Sequence, residues 1–327
     1  MTPSGFRFPP AAFFGIPLGL LALGLLWRGA ERLWLLPAGI SEAILAIGAL
    51  VWALLIVLFA GKWLFAPGDA RAEFADAIQC CFIGLAPVTT MLTAQALLPY
   101  SRTGGLVLAL IGALGAIAFA VYRSGGLWRG ERDIGTATAV LYLPTVAASF
   151  VSASTLSALG WPEWGQLAFG GGVFSWLALE SVLINRLLHG PALPERLRPT
   201  LGIQLAPPAV GAVAYLNVSG GHGDVFAMAL IGYAILQGLI LLRLLPWIMA
   251  QPFSPGYWGF SFGVAALPTA VIRLAAEGGS PPAQLLAPFL FAIANIVIGL
   301  LAVGSLYLLA RGKLLPPPPT QPTGAKV

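Results

Sequence analysis

The chain has 327 residues, of which 58% are hydrophobic and only 9% are charged, and its mean hydropathy is +0.88. Charged residues make up about a quarter of an ordinary soluble domain, so this composition excludes that class and indicates a protein whose solvent is lipid. The net charge of +5 does not indicate nucleic-acid binding, because the basic residues stand singly between apolar runs. The adjacent Cys80 and Cys81 have neither metal-site spacing nor the reach to join distant segments.

Ten apolar runs, each long enough to cross a bilayer as a helix, follow one another along the chain. They begin near residues 11, 40, 77, 104, 134, 164, 200, 224, 256 and 283, and glycine- or proline-containing turns separate them. The sequence therefore predicts an all-α integral membrane protein with ten transmembrane helices. We expect a transmembrane domain over residues 1–313 and a disordered, proline-rich cytoplasmic tail over residues 314–327, because Pro316–Pro319 cannot continue a helix.

The basic residues predict the orientation, because Lys and Arg are retained on the cytoplasmic side of short loops. With the N-terminus inside, thirteen of the seventeen basic residues fall on the cytoplasmic side. The other side holds only Arg28, Arg32, Arg102 and Arg273. Both ends of the chain are therefore predicted to be cytoplasmic.

Each odd-numbered run contains a proline, and the even-numbered runs have none near the middle. These prolines are Pro17, Pro87, Pro144, Pro207 and Pro268, and subtraction gives separations of 70, 57, 63 and 61 residues, the length of one helical hairpin. A proline inside a helix leaves the carbonyl four residues earlier without its donor, and lipid cannot satisfy that carbonyl. The pattern predicts five hairpins, with kinked odd helices around a central axis and even helices outside them.

The lining of this axis is expected to be apolar and weakly polar, because the odd runs hold no charged residue between their ends. Their hydroxyl groups are those of Thr89, Thr90, Thr93, Thr145, Ser149, Ser152 and Ser154. Glu180, in the sixth run, is the clearest acid at membrane depth. Two interpretations of Glu180 stay open, a hydrogen-bonded role between helices and a role in proton coupling.

Catalysis needs placed acids, bases, nucleophiles or cofactor ligands, and the runs offer no paired His, paired carboxylates or usable Cys motif. His189 and His222 fall at the end of a run and in a loop, so we expect no metal site and no cofactor. The sequence therefore disfavours an enzyme. Membrane lipid is an expected partner.

Five segments of the chain are similar to one known family: FFGIPLGL at 13–20, YLPTVAASFVSAS at 142–154, LGIQLAPPAVG at 201–211, LLRLLPWI at 241–248 and WGFSFG at 258–263. They closely resemble the tellurite-resistance/dicarboxylate transporter family, which includes the plant guard-cell slow anion channels. The resemblance implies a homotrimer in a bacterial inner membrane, with a pore in each protomer for small monovalent anions such as chloride or nitrate. It also implies a phenylalanine gate on the ninth helix, and the matching residue is Phe262.

A ring across a narrow apolar constriction excludes water and forces an ion to shed its hydration. Phe14 and Phe82 lie near other prolines and are further candidates for the pore lining, together with the five prolines themselves. The alternative function is a secondary transporter for tellurite or C4-dicarboxylates, as the family name suggests. A dianion usually needs a fixed basic partner, and the candidates lie only near the ends of the runs, at Arg123, Arg243 and Arg273.

Overall fold

The computed structural model describes residues 7–130, 132–278 and 280–315. Within these ranges ten helices are long and apolar enough to cross a membrane, here called spans 1 to 10: Ala11–Trp34, Ala38–Phe65, Gln79–Leu97, Arg102–Leu127, Ala139–Ala158, Pro162–His189, Glu195–Val218, Val225–Ile248, Pro255–Ala276 and Pro281–Ala310. The prediction of an all-α membrane protein with ten spans is confirmed, and each predicted start lies within five residues of the observed one. The predicted tail lies, from residue 316 onward, outside the described residues.

The spans alternate between buried and exposed along the chain. In the most apolar window of each odd span 67–83% of the residues are buried, whereas in the even spans 17–33% are. Each odd span packs against the even span that follows it. The odd spans also contact one another in the order 1, 3, 5, 7, 9 and back to 1, so they form a closed inner ring. The even spans surround this ring and expose their leucine and isoleucine side chains on the outer surface.

No span of the inner ring is one uninterrupted α-helix over its whole length. Spans 1, 7 and 9 begin as 3-10 helix and continue as α-helix from Gly15, Ala206 and Ser261, respectively. Span 3 consists of two α-helical pieces, Gln79–Ile83 and Leu85–Leu97. Span 5 passes from a 3-10 turn through a π-helical segment into α-helix, with bounds Ala139–Leu141, Leu143–Ala147 and Ala148–Ala158.

The positions of the five prolines follow from these changes of geometry. Pro17, Pro87 and Pro207 lie in the first turn of the α-helical part of their spans, where a missing N–H costs little. Pro144 lies in the π-helical segment of span 5. Pro268 differs, because it lies inside the continuous α-helix Ser261–Ala276.

Candidate functional site

The inner ring encloses a cavity of ≈ 40 Å³ toward the N-terminal ends of the odd spans. A cavity of this size holds about three water molecules. All five odd spans contribute to its wall, and none of the described residues of the even spans does. The wall residues are Ala12, Gly15, Leu18, Phe82, Leu85, Tyr142, Leu143, Val146, Ala147, Phe150, Ile203, Ala206, Pro207, Val210, Pro255, Gly256, Trp258, Gly259 and Phe262.

The wall of the cavity is apolar and uncharged. No Asp, Glu, Lys or Arg occurs among the described residues that form it. Its two polar side-chain tips are already hydrogen-bonded, since the Tyr142 hydroxyl donates to Glu180 and Nε1 of Trp258 donates to Oγ of Ser305 at 2.8 Å. An ion inside the cavity would therefore meet no fixed counter-charge and few free polar groups.

Phe262 lies on the cavity wall with 7% of its surface exposed. Close packing from two neighbouring spans positions the segment that carries it. A Cβ atom on Gly19 of span 1 would lie 2.5 Å from Cβ of Ser261, and one on Gly202 of span 7 would lie 2.4 Å from the Phe260 ring. Because glycine has no Cβ, spans 1 and 7 approach the backbone around Phe262 from both sides and hold it in place.

The other predicted aromatic residues occupy two different positions. Phe82 lies on the wall together with Phe262. Phe14 is 1% exposed and is not part of the wall; its ring packs edge-on against Phe59 of span 2, with 5.9 Å between the ring centroids. The structure thus brings Phe82 and Phe262 to one cavity and leaves Phe14 between two spans.

One of the five prolines, Pro207, lies on the cavity wall. Pro17, Pro87 and Pro144 belong to the inner ring but are not wall residues. Pro268 lines a different space, an apolar groove of ≈ 470 Å³ bordered by spans 8 and 10. All five prolines therefore belong to the inner ring, but they do not line one common cavity.

Four of the seven hydroxyl groups expected in the lining, those of Thr89, Thr90, Thr93 and Ser152, donate to carbonyls of their own helices instead. Oγ1 of Thr89 donates to the Leu85 carbonyl at 2.8 Å, and Oγ of Ser152 donates to the Ala148 carbonyl at 2.7 Å. A carbonyl four residues earlier is the nearest acceptor for such a side chain. None of the Thr and Ser residues named above belongs to the described wall, so this cavity is less polar than the sequence predicted.

Three large wall residues were not predicted from the sequence: Tyr142, Phe150 and Trp258. All three are at most 2% exposed. Two of them could have been found from their position in the sequence. Tyr142 precedes Pro144 by two residues, and Trp258 precedes Phe262 by four, about one helical turn. Phe150 follows Pro144 by six residues and gave no separate signal.

Glu180 accepts hydrogen bonds from side chains of three spans. The donors are the hydroxyl of Tyr142 in span 5, Nε1 of Trp176 in span 6 at 3.0 Å and the hydroxyl of Tyr233 in span 8 at 2.8 Å. Nε2 of Gln237 adds a longer contact of 3.4 Å. Glu180 thus makes the expected hydrogen bonds to neighbouring helices, and these bonds do not test a role in proton coupling. Because Tyr142 lies on the cavity wall, this network joins the wall to two outer spans.

Comparisons with known proteins agree with this architecture. The chain matches the family described as SLAC1, voltage-dependent anion channel, over residues 7–306. The tellurite resistance protein TehA homolog of Haemophilus influenzae is 37% identical over 308 residues, which cover 94% of this chain and 93% of that protein. The S-type anion channel SLAH2 of Arabidopsis thaliana is 23% identical over 328 residues, covering 96% of this chain and 62% of that protein. The guard cell S-type anion channel SLAC1 of the same plant is 25% identical over 162 residues, which cover 50% of this chain and 29% of that protein. With its ten spans and its match over almost the whole length, the chain belongs to the SLAC1 voltage-dependent anion channel family.

Proposed function

We propose that the protein is a channel for small monovalent anions such as chloride and nitrate, with a pore through the inner ring of each protomer and Phe262 as its gate. The observation that carries this proposal is the uncharged cavity that all five odd spans enclose, with Phe262 on its wall. Membership in a family of anion channels supports anion transport. No enzymatic activity is part of the proposal.

Weak binding is what a channel requires, because an ion that enters must also leave quickly. An uncharged wall offers no tight site, so selectivity follows the cost of dehydration. Nitrate and chloride are then favoured over the more strongly hydrated fluoride. Acidic residues are missing from the described wall, which removes the groups that would attract cations.

Preference for anions over cations has a further support in the orientation of the inner ring. The cavity lies toward the N-terminal ends of all five odd spans. The peptide dipoles of a helix give that end a partial positive charge. Five such ends around one cavity favour an anion without placing a basic side chain on the described wall.

Phe262 closes the pore by steric and dielectric means in this proposal. Toward the C-terminal ends of the odd spans further side chains are fully buried, among them Leu26, Ala94 and Ala214 at 0% exposure. In this proposal the Phe262 ring, on the wall of a cavity that holds about three waters, separates the two aqueous sides. Removal of the ring should open a continuous path.

The proposed setting of the channel is a homotrimer in a bacterial inner membrane with both termini in the cytoplasm. The family resemblance supports the trimer and the membrane, and the distribution of the seventeen basic residues supports the orientation. Residues 1–313 form the channel domain, and residues 314–327 form a proline-rich tail on the cytoplasmic side.

A second candidate function is secondary transport of tellurite or C4-dicarboxylates. The name of the Haemophilus influenzae relative, a tellurite resistance protein, favours this transport function. A dianion is usually held by a fixed Arg or Lys, and the described wall offers neither. We therefore rank transport second to conduction.

The experiment is a current measurement across a planar bilayer that contains the purified full-length protein under a chloride gradient. We expect little current from the wild type and a large current from Phe262→Ala that reverses near the chloride potential. Phe14→Ala is the matched control, because it removes another buried phenylalanine ring that is not part of the cavity wall. Equal currents from the two variants, or none from either, would contradict a gate at Phe262.

Glu180 separates the two candidate functions in a vesicle uptake assay. A proton-coupled transporter should show saturable, pH-driven uptake that Glu180→Gln abolishes. The proposed channel should show anion flux that does not depend on a proton gradient. Its Phe262→Ala current should persist when Glu180→Gln is added.

A further inference from the structure

Two arginines from different segments converge on one carbonyl oxygen. Nη2 of Arg123, near the end of span 4, donates to the Ala77 carbonyl at 2.8 Å. Nη2 of Arg132, in the connection between spans 4 and 5, donates to the same oxygen at 3.1 Å. Adding 2.8 Å and 3.1 Å shows that the two Nη2 atoms lie at most 5.9 Å apart. Arg132 is also fixed by Thr136, whose Oγ1 accepts from Nε at 2.7 Å and whose carbonyl accepts from Nη2 at 2.8 Å.

No acid among the described residues forms an ion pair with either arginine. In the part of the chain that the structure describes, no carboxylate lies within 4.0 Å of either guanidinium. Asp76 is close enough to act on Arg132, but its Oδ1 accepts the backbone N–H groups of Ile78 and Gln79 at 2.8 and 2.7 Å. Two like charges therefore share one neutral acceptor.

Two buried polar groups, one in the pair itself and one just before span 5, have no hydrogen-bond partner among the described residues. Nε of Arg123 is buried and makes no hydrogen bond to any described residue. Oγ1 of Thr138 is buried as well, in a residue that is 3% exposed, and likewise makes none. A buried donor without an acceptor costs free energy, so each such group needs an explanation.

The surroundings of the Arg132 guanidinium are also unfavourable for a positive charge. Burial lowers the pKa of Arg132 and the charge of Arg123 acts in the same direction, although Cys81, Cys80 and Asp76 raise this pKa. A guanidinium stays protonated at ordinary pH, so the lowered pKa reflects the cost of holding a charge at this place. An anion between the two arginines would offset part of that cost.

The pair lies at the end of the inner ring toward which the cavity lies. Ala77 precedes the wall residue Phe82 by five positions, and Thr138 precedes the wall residue Tyr142 by four. Both residues stand just before the N-terminal starts of their spans, Gln79 and Ala139. An ion held by the arginines would therefore lie at the same end of the inner ring as the cavity.

We propose that Arg123 and Arg132 form an anion-binding site at the same end of the inner ring as the cavity, and that the site prefers a small oxyanion such as nitrate to chloride. The inference rests on the proposed channel function and adds to it the residues that recruit the permeant ion. The parallel N–H groups of a guanidinium match the oxygen atoms of an oxyanion better than a spherical halide. The free Nε of Arg123 supplies an additional donor.

The site is tested by nitrate binding to the purified full-length protein in detergent, measured as a rise in melting temperature. Nitrate replaces gluconate at constant ionic strength, so that general screening does not change. We expect a saturable rise for the wild type and ~10-fold weaker apparent binding for Arg132→Gln, the loss of one charge-assisted contact. Arg129→Gln is the matched control, because Arg129 is exposed in the same connection, and it should bind like the wild type.

Wild-type affinity in Arg132→Gln, or equal loss in Arg129→Gln, would overturn the site. Arg123→Gln should weaken binding as well, and if that variant does not fold, Arg132→Gln alone tests the site, because residue 132 lies outside the spans. Arg123→Lys keeps the charge but loses the planar fork with its unpaired Nε, so it should retain anion binding and lose the preference for nitrate over chloride. An unchanged preference in Arg123→Lys would refute recognition by the guanidinium.

Current measurements distinguish failure of the site from failure of the channel. In the Phe262→Ala background, Arg132→Gln should reduce the current at low nitrate concentration and leave it nearly unchanged at high concentration. Nitrate binding that depends on Arg132, without current in any variant, would support the site and refute the channel. If the current depends on nitrate concentration in the same way in Phe262→Ala and in Phe262→Ala/Arg132→Gln, the anion-binding site is refuted. The proposed channel function is not affected by that result.

Discussion

The buried ion pair between Lys62 and Glu73 allows a quantitative test of the fold. Nζ of Lys62 and Oε2 of Glu73 are 2.6 Å apart, and each side chain is 7% exposed. Oε1 of Glu73 accepts the backbone N–H of Ala11 at 2.7 Å. Glu73 belongs to the short helix Pro67–Ala75 that follows span 2, so its carboxylate fastens that helix to the ends of spans 1 and 2.

The expected cost of Glu73→Ala follows from these contacts. Breaking a buried ion pair from one side costs about 3–5 kcal/mol, because the remaining charge stays buried. Leaving the N–H of Ala11 without its acceptor adds about 1–3 kcal/mol. We therefore expect a loss of about 4–8 kcal/mol in the free energy of unfolding. The double variant Lys62→Met/Glu73→Gln removes both charges and keeps an acceptor, so it should lie within about 1 kcal/mol of the wild type.

The assay is reversible unfolding by SDS in mixed micelles, followed by tryptophan fluorescence. Glu195→Ala is the control, because its pairing with Arg198 spans 3.9 Å and its side chain is 70% exposed. That control should cost less than about 1 kcal/mol. A Glu73→Ala cost as small as that of Glu195→Ala would refute the buried pair. A double variant as unstable as Glu73→Ala would show that the loss is not caused by the stranded charge.

Two further predictions concern single positions. Gly112→Ala should lower the melting temperature, because a Cβ there would lie 2.9 Å from the Pro87 carbonyl oxygen, and overpacking costs about 1–3 kcal/mol. Gly115→Ala, where the nearest atom is 3.5 Å away, should be nearly neutral, and equal effects would contradict the close approach. The Tyr215 hydroxyl and a backbone N–H lower the pKa of Asp224. A lowered folded-state pKa means that the stabilisation is complete above the unfolded value of about 3.9 and is lost as the pH falls through the folded value. Melting curves at falling pH should show this loss in the wild type and not in Asp224→Asn.

Much of the architecture was predictable from the sequence. In lipid every backbone polar group must be satisfied within the chain, so runs of apolar residues of sufficient length become helices. The prolines in alternate runs indicated which spans are buried, and the burial of the odd spans agrees with that pattern. The assignment of Phe262 came from the family resemblance, because composition and periodicity do not distinguish one of eighteen phenylalanines from another.

The cavity wall was less predictable because the inner spans are not uniform α-helices. A 3-10 turn has fewer residues per turn than an α-helix, and a π-helical segment has more. The side chains that follow such a segment therefore point in directions that a constant period of 3.6 residues does not give. Span 5 contains both geometries, and it contributes Tyr142 and Phe150, two of the wall residues that the sequence did not predict.

The sequence by itself determined the class of the protein, the number of its spans and the alternation of buried and exposed helices. These properties depend on composition and on spacing along one chain segment. Only the tertiary structure decided that Glu180 meets donors from three spans and that Arg123 and Arg132 share the carbonyl of Ala77. Such contacts join residues far apart in the chain, and the closed inner ring that brings them together is a property of packing between spans.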